Sequence, residues 1–221
     1  MARRTKEEAE ATRERILDAA EEIFLENGVA QTSLEEIAHL AGVTRGAIYW
    51  HFKNKVDVFS ALLERVQLPL NELLHEMEEH HRHNPLAALR ELCLYALHNL
   101  AENPQYRRVY TILFHRCELV NGLNPGVEKQ NQQTRQALAS VTERFERARR
   151  LNQLQPGMSP KTAATALHVF MVGIYSEWLR DPAAFDLSRE SEHLLDAFLC
   201  GVARRNEVKA AAPRRRTDAS G

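Results

Sequence analysis

Apolar residues return every three or four positions along nearly the whole chain, and no useful stretch alternates with period two. The pattern predicts an all-α protein of about nine helices. In the first candidate helix Ile16, Ala19, Ala20, Ile23 and Phe24 share a face, Thr5 and Glu8 form a capping-box pair, and Asn27-Gly28 is a stop. Ser33 and Glu36 form a second box, opening a helix whose Ile37, Ala38 and Leu40 face a core. Gly42 turns the chain, and Thr44 caps a third helix that ends at Lys53-Asn54. Asn54 caps a longer helix into the seventies. Pro69 within it predicts a kink over 65–69, because proline lacks an N–H and crowds the carbonyl of Arg65. Asn-Pro pairs at 84, 103 and 124 and Ser159-Pro160 start helices over about 85–101, 104–117, 127–152 and 160–180. The segment 121–126 reads as a loop, and Ser188 caps a last helix to about Arg205.

The first three helices fit within about fifty residues with very short connections, the rhythm of a helix-turn-helix unit. In TRGAIYWHF, residues 44–52, Ile48 and Phe52 face inward while Arg45 and Tyr49 share the opposite face. The second helix of such a unit enters the major groove. There Arg bridges guanine O6 and N7, and Tyr meets a thymine methyl or donates to a phosphate. Gly46 weakens a helix by ~1 kcal/mol relative to Ala, which fits a helix that must approach DNA closely. Thr44, Trp50, His51 and Lys55 are placed to reach phosphates, and the helix start at Asn54 offers N–H groups to an anion. Spacing alone leaves a second reading open, a helical hairpin that binds no DNA.

Length and composition suit one large or two small domains: a helix-turn-helix DNA-binding domain over 1–53, a ligand-binding and dimerisation domain over 54–207, and a disordered basic tail over 208–221. Charge adds little, since the net value is −1 and acids outnumber bases even in residues 1–55; placement must matter more than total. No run of 18 apolar residues occurs and the N-terminus is charged, so neither a membrane span nor a secretory signal is expected, and the chain reads as cytoplasmic. Cys93, Cys117 and Cys200 form no C-x-x-C pair and read as reduced thiols. The run HEMEEHHRH, with His75, His80, His81 and His83, reads as a solvated helix end in preference to a metal site. No nucleophile–base pair or Gly-rich phosphate loop is evident, so no enzyme, cofactor or metal is expected.

The stretch TSLEEIAHLAGVTRGAIYWHFKNK, with RILDAAEEIFLENGVAQTS before it, resembles the DNA-binding signature of the TetR family of bacterial regulators. RRTKEEAEATRERIL and VTRGAIYWHFKNK are similar, more narrowly, to its AcrR and TtgR type, which represses multidrug efflux pump genes; YRRVYTILFHRCE, 106–118, adds a local echo. The resemblance implies an all-α homodimer that binds a palindromic double-stranded DNA operator and is released by a small hydrophobic or aromatic inducer, with no membrane partner. It implies phosphate contacts from Thr32, Ser33 and Lys55, a recognition face of Thr44, Arg45, Gly46, Tyr49 and His51, and arm contacts from Arg3 and Arg4. It places a pocket near Leu89, Leu92, Cys93, Ala96, Tyr110, Phe114, Val141, His168, Met171 and Val172. Few carboxylates fall on these faces, which favours neutral or weakly charged aromatic ligands over dications. The resemblance also implies an intersubunit four-helix bundle through Ala164, Leu167, Ile174, Tyr175, Trp178, Leu194, Leu195, Phe198 and Val202. A second function on the same fold, control of lipid or catabolic genes by a metabolite, stays open.

Overall fold

The structure, a computed structural model, describes residues 2–81, 83–117 and 125–204. The tail at 208–221 and most of the loop at 121–126 lie outside them, as do the side chains of Arg3, Arg4 and His75. The N-terminal part is α1 (Ala2–Asn27), α2 (Leu34–Leu40) and α3 (Arg45–His51). Because α1 already begins at Ala2, Thr5 lies inside it and is not its cap, contrary to the sequence reading. The Ser33–Glu36 box does form: Ser33 Oγ accepts from the Glu36 N–H at 3.2 Å, and the Ser33 N–H donates to Glu36 Oε2 at 2.7 Å. Thr44 Oγ1 accepts from the Ala47 N–H at 3.2 Å, which starts α3.

Further helices follow, α4 (Lys55–His80), α5 (Pro85–Glu102), α6 (Pro104–Thr111), α7 (Pro125–Arg150), α8 (Pro160–Arg180) and α9 (Leu187–Val202). Asn54, Asn84, Asn103 and Ser159 cap their helices as their positions predict. Helix α4 continues through Pro69 without ending. Helix α6 does not run evenly to residue 117, because Ile112–Arg116 forms a π-helical turn. Asp186, not Ser188, caps α9; its carboxylate accepts from the Arg189 N–H at 3.2 Å, and Leu187 is buried as the first helical residue. The only pairing of extended backbone among the described residues is a bridge between Leu154 and Ala203 at the ends of α7 and α9.

Two apolar cores result. The first joins Ile16, Phe24, Ile37 and Ile48 to Val58, Phe59 and Leu62 of α4, and continues to Leu97, Val109 and Ile112. It therefore crosses residue 53 without a break. Leu40, expected in this core, is exposed; it is the last residue of a two-turn helix, and Ala41 and Val43 pack there instead. The second core gathers Leu86, Leu89, Phe145, Ala148, Leu167, Leu195 and Leu199 from α5, α7, α8 and α9. Arg90 adds a forked ion pair with Asp196 at 2.6 and 3.1 Å across α5 and α9.

Candidate functional site

Ile48 and Phe52 bury the inner face of α3, which leaves Arg45, Tyr49 and Trp50 outside, Trp50 at 73% exposure. Most of the Trp50 ring thus faces solvent on a two-turn helix. Trp50 stands edge-on to His51 with ring centres 4.5 Å apart. Partial burial, and then the charge of Arg13, hold the His51 imidazole below its usual pKa. A β-carbon at Gly46 would meet nothing nearer than the Thr44 hydroxyl at 3.9 Å. The chain itself therefore does not need a glycine there. Gly46→Ala is expected to raise stability by about 0.4–1 kcal/mol and to weaken DNA binding, read by melting and by fluorescence anisotropy. Unchanged binding would mean that α3 makes no close approach.

The expected phosphate contacts divide. Ser33 and Thr44 lie at helix starts on the exposed side, each committed to its cap. Thr32 does not present its side chain: it is buried, and its hydroxyl donates to the Gly28 carbonyl at 2.8 Å. Lys55 reaches back to the carbonyls of Ala30 and Thr32, which engages two of its three N–H hydrogens. The N–H groups of Val56 and Asp57 at the start of α4 are already held by Asn54 Oδ1 at 2.9 Å each.

The segment before α2 is tied to the rest of the molecule. Gly28 has φ +82°, and a β-carbon there would stand 3.1 Å from the Arg116 carbonyl, so both conformation and space require glycine. The next N–H, of Val29, donates to that same carbonyl at 2.9 Å. Sequence reasoning missed a second tie. Glu21, only 6% exposed in its side chain, accepts from Arg65 Nη2 at 2.8 Å and from Arg108 Nε at 2.6 Å. One carboxylate thus joins α1, α4 and α6. The signal was present: Glu21 lies four residues after Leu17 and three before Phe24, inside the apolar stripe.

A cavity of about 330 Å³ lies among α4, α5, α6, α7 and α8. Leu92, Cys93, Ala96, Tyr110, Phe114, His168, Met171 and Val172 line it as expected. Leu89 and Val141 do not; they belong to the adjoining core. Gln67, Tyr106, Leu113, Thr134, Ala137 and Tyr175 line it as well. Tyr106, Tyr110 and Phe114 follow one another at i, i+4 and i+8, a spacing that would have pointed to Tyr106. The Tyr106 and Tyr175 hydroxyls are 2.8 Å apart, and Tyr175 donates onward to the Ala96 carbonyl at 3.4 Å. Burial raises the pKa of all three tyrosines and pushes that of the Cys93 thiol up to about 12, so these four side chains stay neutral. Among the described residues lining the cavity, none is Asp, Glu, Lys or Arg.

The residues expected at the subunit interface divide by their exposure in the single subunit. Ala164, Leu167, Ile174, Tyr175, Trp178, Leu195 and Val202 are buried within the subunit, because α8 and α9 turn these residues onto α5, α6 and α7. Leu194 and Phe198 remain half-buried, with Phe198 stacked on Phe170 at 5.1 Å. The open face is offset. It carries Val169, at 63% exposure, and Gly173 of α8 beside Leu194, and a groove of about 760 Å³ runs along it. A β-carbon at Gly173 or Gly201 would meet nothing within 4 Å.

No described helix is long and apolar enough to cross a membrane. Among the described residues no three His, Cys, Asp or Glu converge to hold a metal, and His81 of the histidine run pairs with Glu91 at 2.7 Å.

Comparison with known proteins agrees with this geometry. Residues 16–62 match the family of bacterial regulatory proteins described as the tetR family, and residues 84–202 match the C-terminal region of MAATS-type transcriptional repressors. The HTH-type transcriptional regulator AcrR of Shigella flexneri is 35% identical over 210 residues, covering 93% of this chain and 98% of that protein. The crystal structure of NalD, the secondary repressor of the MexAB-OprM multidrug efflux pump in Pseudomonas aeruginosa, matches with a TM-score of 0.80 at 42% identity, over 90% of this chain and 99% of that one. A complex of SmeT with triclosan matches with a TM-score of 0.79 at 37% identity, over 89% and 94%; SmeT is the repressor of the Stenotrophomonas maltophilia multidrug efflux pump SmeDEF. The chain belongs to the TetR family of bacterial transcriptional regulators, and α1–α3 are its DNA-binding head.

Proposed function

We propose that the protein is a dimeric repressor of a multidrug efflux operon that leaves a palindromic operator when an uncharged aromatic molecule fills the cavity. The observation that carries this reading is an aromatic cavity, with no Asp, Glu, Lys or Arg among its described lining residues, walled by α6, the helix that is also bonded to the DNA-binding head. Apolar walls favour ligands that leave water at about 25 cal/mol per Å² of apolar surface. An ionised ligand would lose its hydration without meeting a counter-charge. Similarity to NalD and SmeT supports efflux control, and the triclosan bound to SmeT, a chlorinated phenol, has the chemistry this cavity suits.

The release mechanism follows from the ties to the head. Ligand between Tyr110, Phe114 and Met171 displaces α6 and its π turn. The Arg108–Glu21 pair and the Arg116–Val29 hydrogen bond carry that displacement into α1 and the segment before α2. Two recognition helices then no longer match successive major grooves about 34–36 Å apart, and the population shifts to the free state. A second copy packed on the α8–α9 face, with Val169, Gly173 and Gly201 at the contact, supplies the two-fold symmetry.

Triclosan titrated onto the protein bound to the upstream region of its own gene tests the reading. Release of the duplex is expected, with a melting-point rise equivalent to about 2.7 kcal/mol at a hundred times the dissociation constant. The neutral phenol is the bound form, so affinity should be constant below the probe's own pKa and fall about tenfold per pH unit above it. Tighter binding of a dicationic dye than of any neutral compound would sink the ligand class, and no retarded DNA complex at moderate salt would sink the repressor reading.

A further inference from the structure

Adjacent carboxylates at the start of α2 do different things. Glu36 turns back onto Ser33 and closes the capping box. Glu35 reaches across to α3. Its Oε1 forms an ion pair with Arg45 Nη2 at 3.2 Å and accepts from the Tyr49 hydroxyl at 3.1 Å, and the Arg45 guanidinium stands 5.6 Å from the centre of the Tyr49 ring. The three side chains close on one another on the outer surface, Arg45 being 74% and Glu35 47% exposed. As a stabilising ion pair this is worth little, since solvent screens it. On a face that meets phosphates, moreover, the carboxylate is repelled. Its placement makes sense as recognition chemistry.

A guanidinium carries five N–H donors in a rigid plane. With Nη2 directed to Glu35, the remaining donors still bridge guanine O6 and N7. The same contact keeps the guanidinium from turning to the nearest phosphate, the acceptor that every sequence offers. Tyr49 is held in the same way: its hydroxyl is engaged, so what it presents to DNA is its ring, suited to a thymine methyl.

We propose that Glu35 is a specificity-determining residue, which positions Arg45 and Tyr49 for base edges and disfavours sequence-independent binding. The inference rests on α3 being the recognition helix. It is tested by fluorescence anisotropy of the full chain on two duplexes across a KCl series, one selected by the wild type from a random pool and one with its sequence shuffled. Glu35→Gln and Glu35→Ala should each bind the shuffled duplex about three- to tenfold more tightly and the selected duplex no more tightly, so that the specificity ratio falls. Adding Glu35→Gln to Arg45→Ala/Tyr49→Phe should change the ratio by less than about twofold, because Glu35 acts through Arg45 and the Tyr49 hydroxyl. Equal gains on both duplexes, or none, overturn the proposal and leave Glu35 a plain surface charge; so does a fallen ratio in a variant whose melting point has dropped as well. If Arg45→Ala by itself leaves the ratio unchanged, the recognition-helix reading fails first.

Discussion

Replacing Arg45 by Ala is expected to abolish sequence-specific binding while a weaker, salt-sensitive affinity for any duplex remains. Arg45 is largely exposed, and its partners are Glu35 and the ring of Tyr49, both on the outer surface. Its removal therefore costs the fold little, about 0–1 kcal/mol. Against DNA the balance is different. One bidentate contact to guanine discriminates by about 1–3 kcal/mol, and a dimer makes it in both half-sites. The expected loss on the operator is then about 2–6 kcal/mol, or roughly 30- to 20,000-fold. Arg45→Lys separates charge from geometry: an ammonium keeps the phosphate attraction and lacks the fork, so affinity for shuffled DNA should survive while preference for the operator goes. Anisotropy at one fixed salt concentration measures both. Operator binding by Arg45→Ala within about threefold of the wild type would remove α3 from base readout.

What the sequence disclosed about this surface and about the body differs for a physical reason. Helix starts are local: Ser33, Thr44, Asn54, Asn84, Asn103 and Ser159 each satisfy N–H groups two or three residues on, and each could be read from its neighbours. Asp186 was missed in favour of Ser188 because burial of Leu187, a tertiary fact, sets where α9 begins. Which face of α8 stays open in the subunit was not legible because that helix is apolar nearly all round. Its periodicity could not say whether Leu167 and Trp178, or Val169 and Gly173, turn inward. The cavity was legible where it follows a single helix, as at Tyr110 and Phe114. It was not legible at Tyr175, which meets Tyr106 across 69 residues of chain. The π turn left no trace in the pattern at all. Phe114 within it lines the cavity, and the carbonyl of Arg116 at its end accepts from the Val29 N–H.

Glu21→Ala should be the most damaging single change at the junction of head and body. The carboxylate is nearly inaccessible and is shared by two guanidinium groups. Breaking a buried pair from one side costs about 3–5 kcal/mol, because the other charge is left without a counter-ion. Here the cost falls to the lower end of that range or just below it. Arg65 keeps Glu14 at 3.1 Å and Asp18 at 2.8 Å, and Arg108 is 46% exposed and can regain water. A loss of about 2–3 kcal/mol is expected, which in a chain of this size lowers the melting point by roughly 4–12 °C. Glu14→Ala, which removes one exposed partner of Arg65, should cost less than about 1 kcal/mol. The functional consequence separates the two variants further. Glu21 is the side chain that joins α6, a wall of the cavity, to α1 of the head. Glu21→Ala should therefore bind a cavity ligand with nearly wild-type affinity yet need more of it to release the operator, whereas Glu14→Ala should release normally. Ligand affinity from tryptophan quenching and release from anisotropy read the two quantities independently. If release stays normal in Glu21→Ala, the displacement of α6 reaches the head through the Arg116–Val29 hydrogen bond alone, and the side-chain network serves only to hold the three helices together.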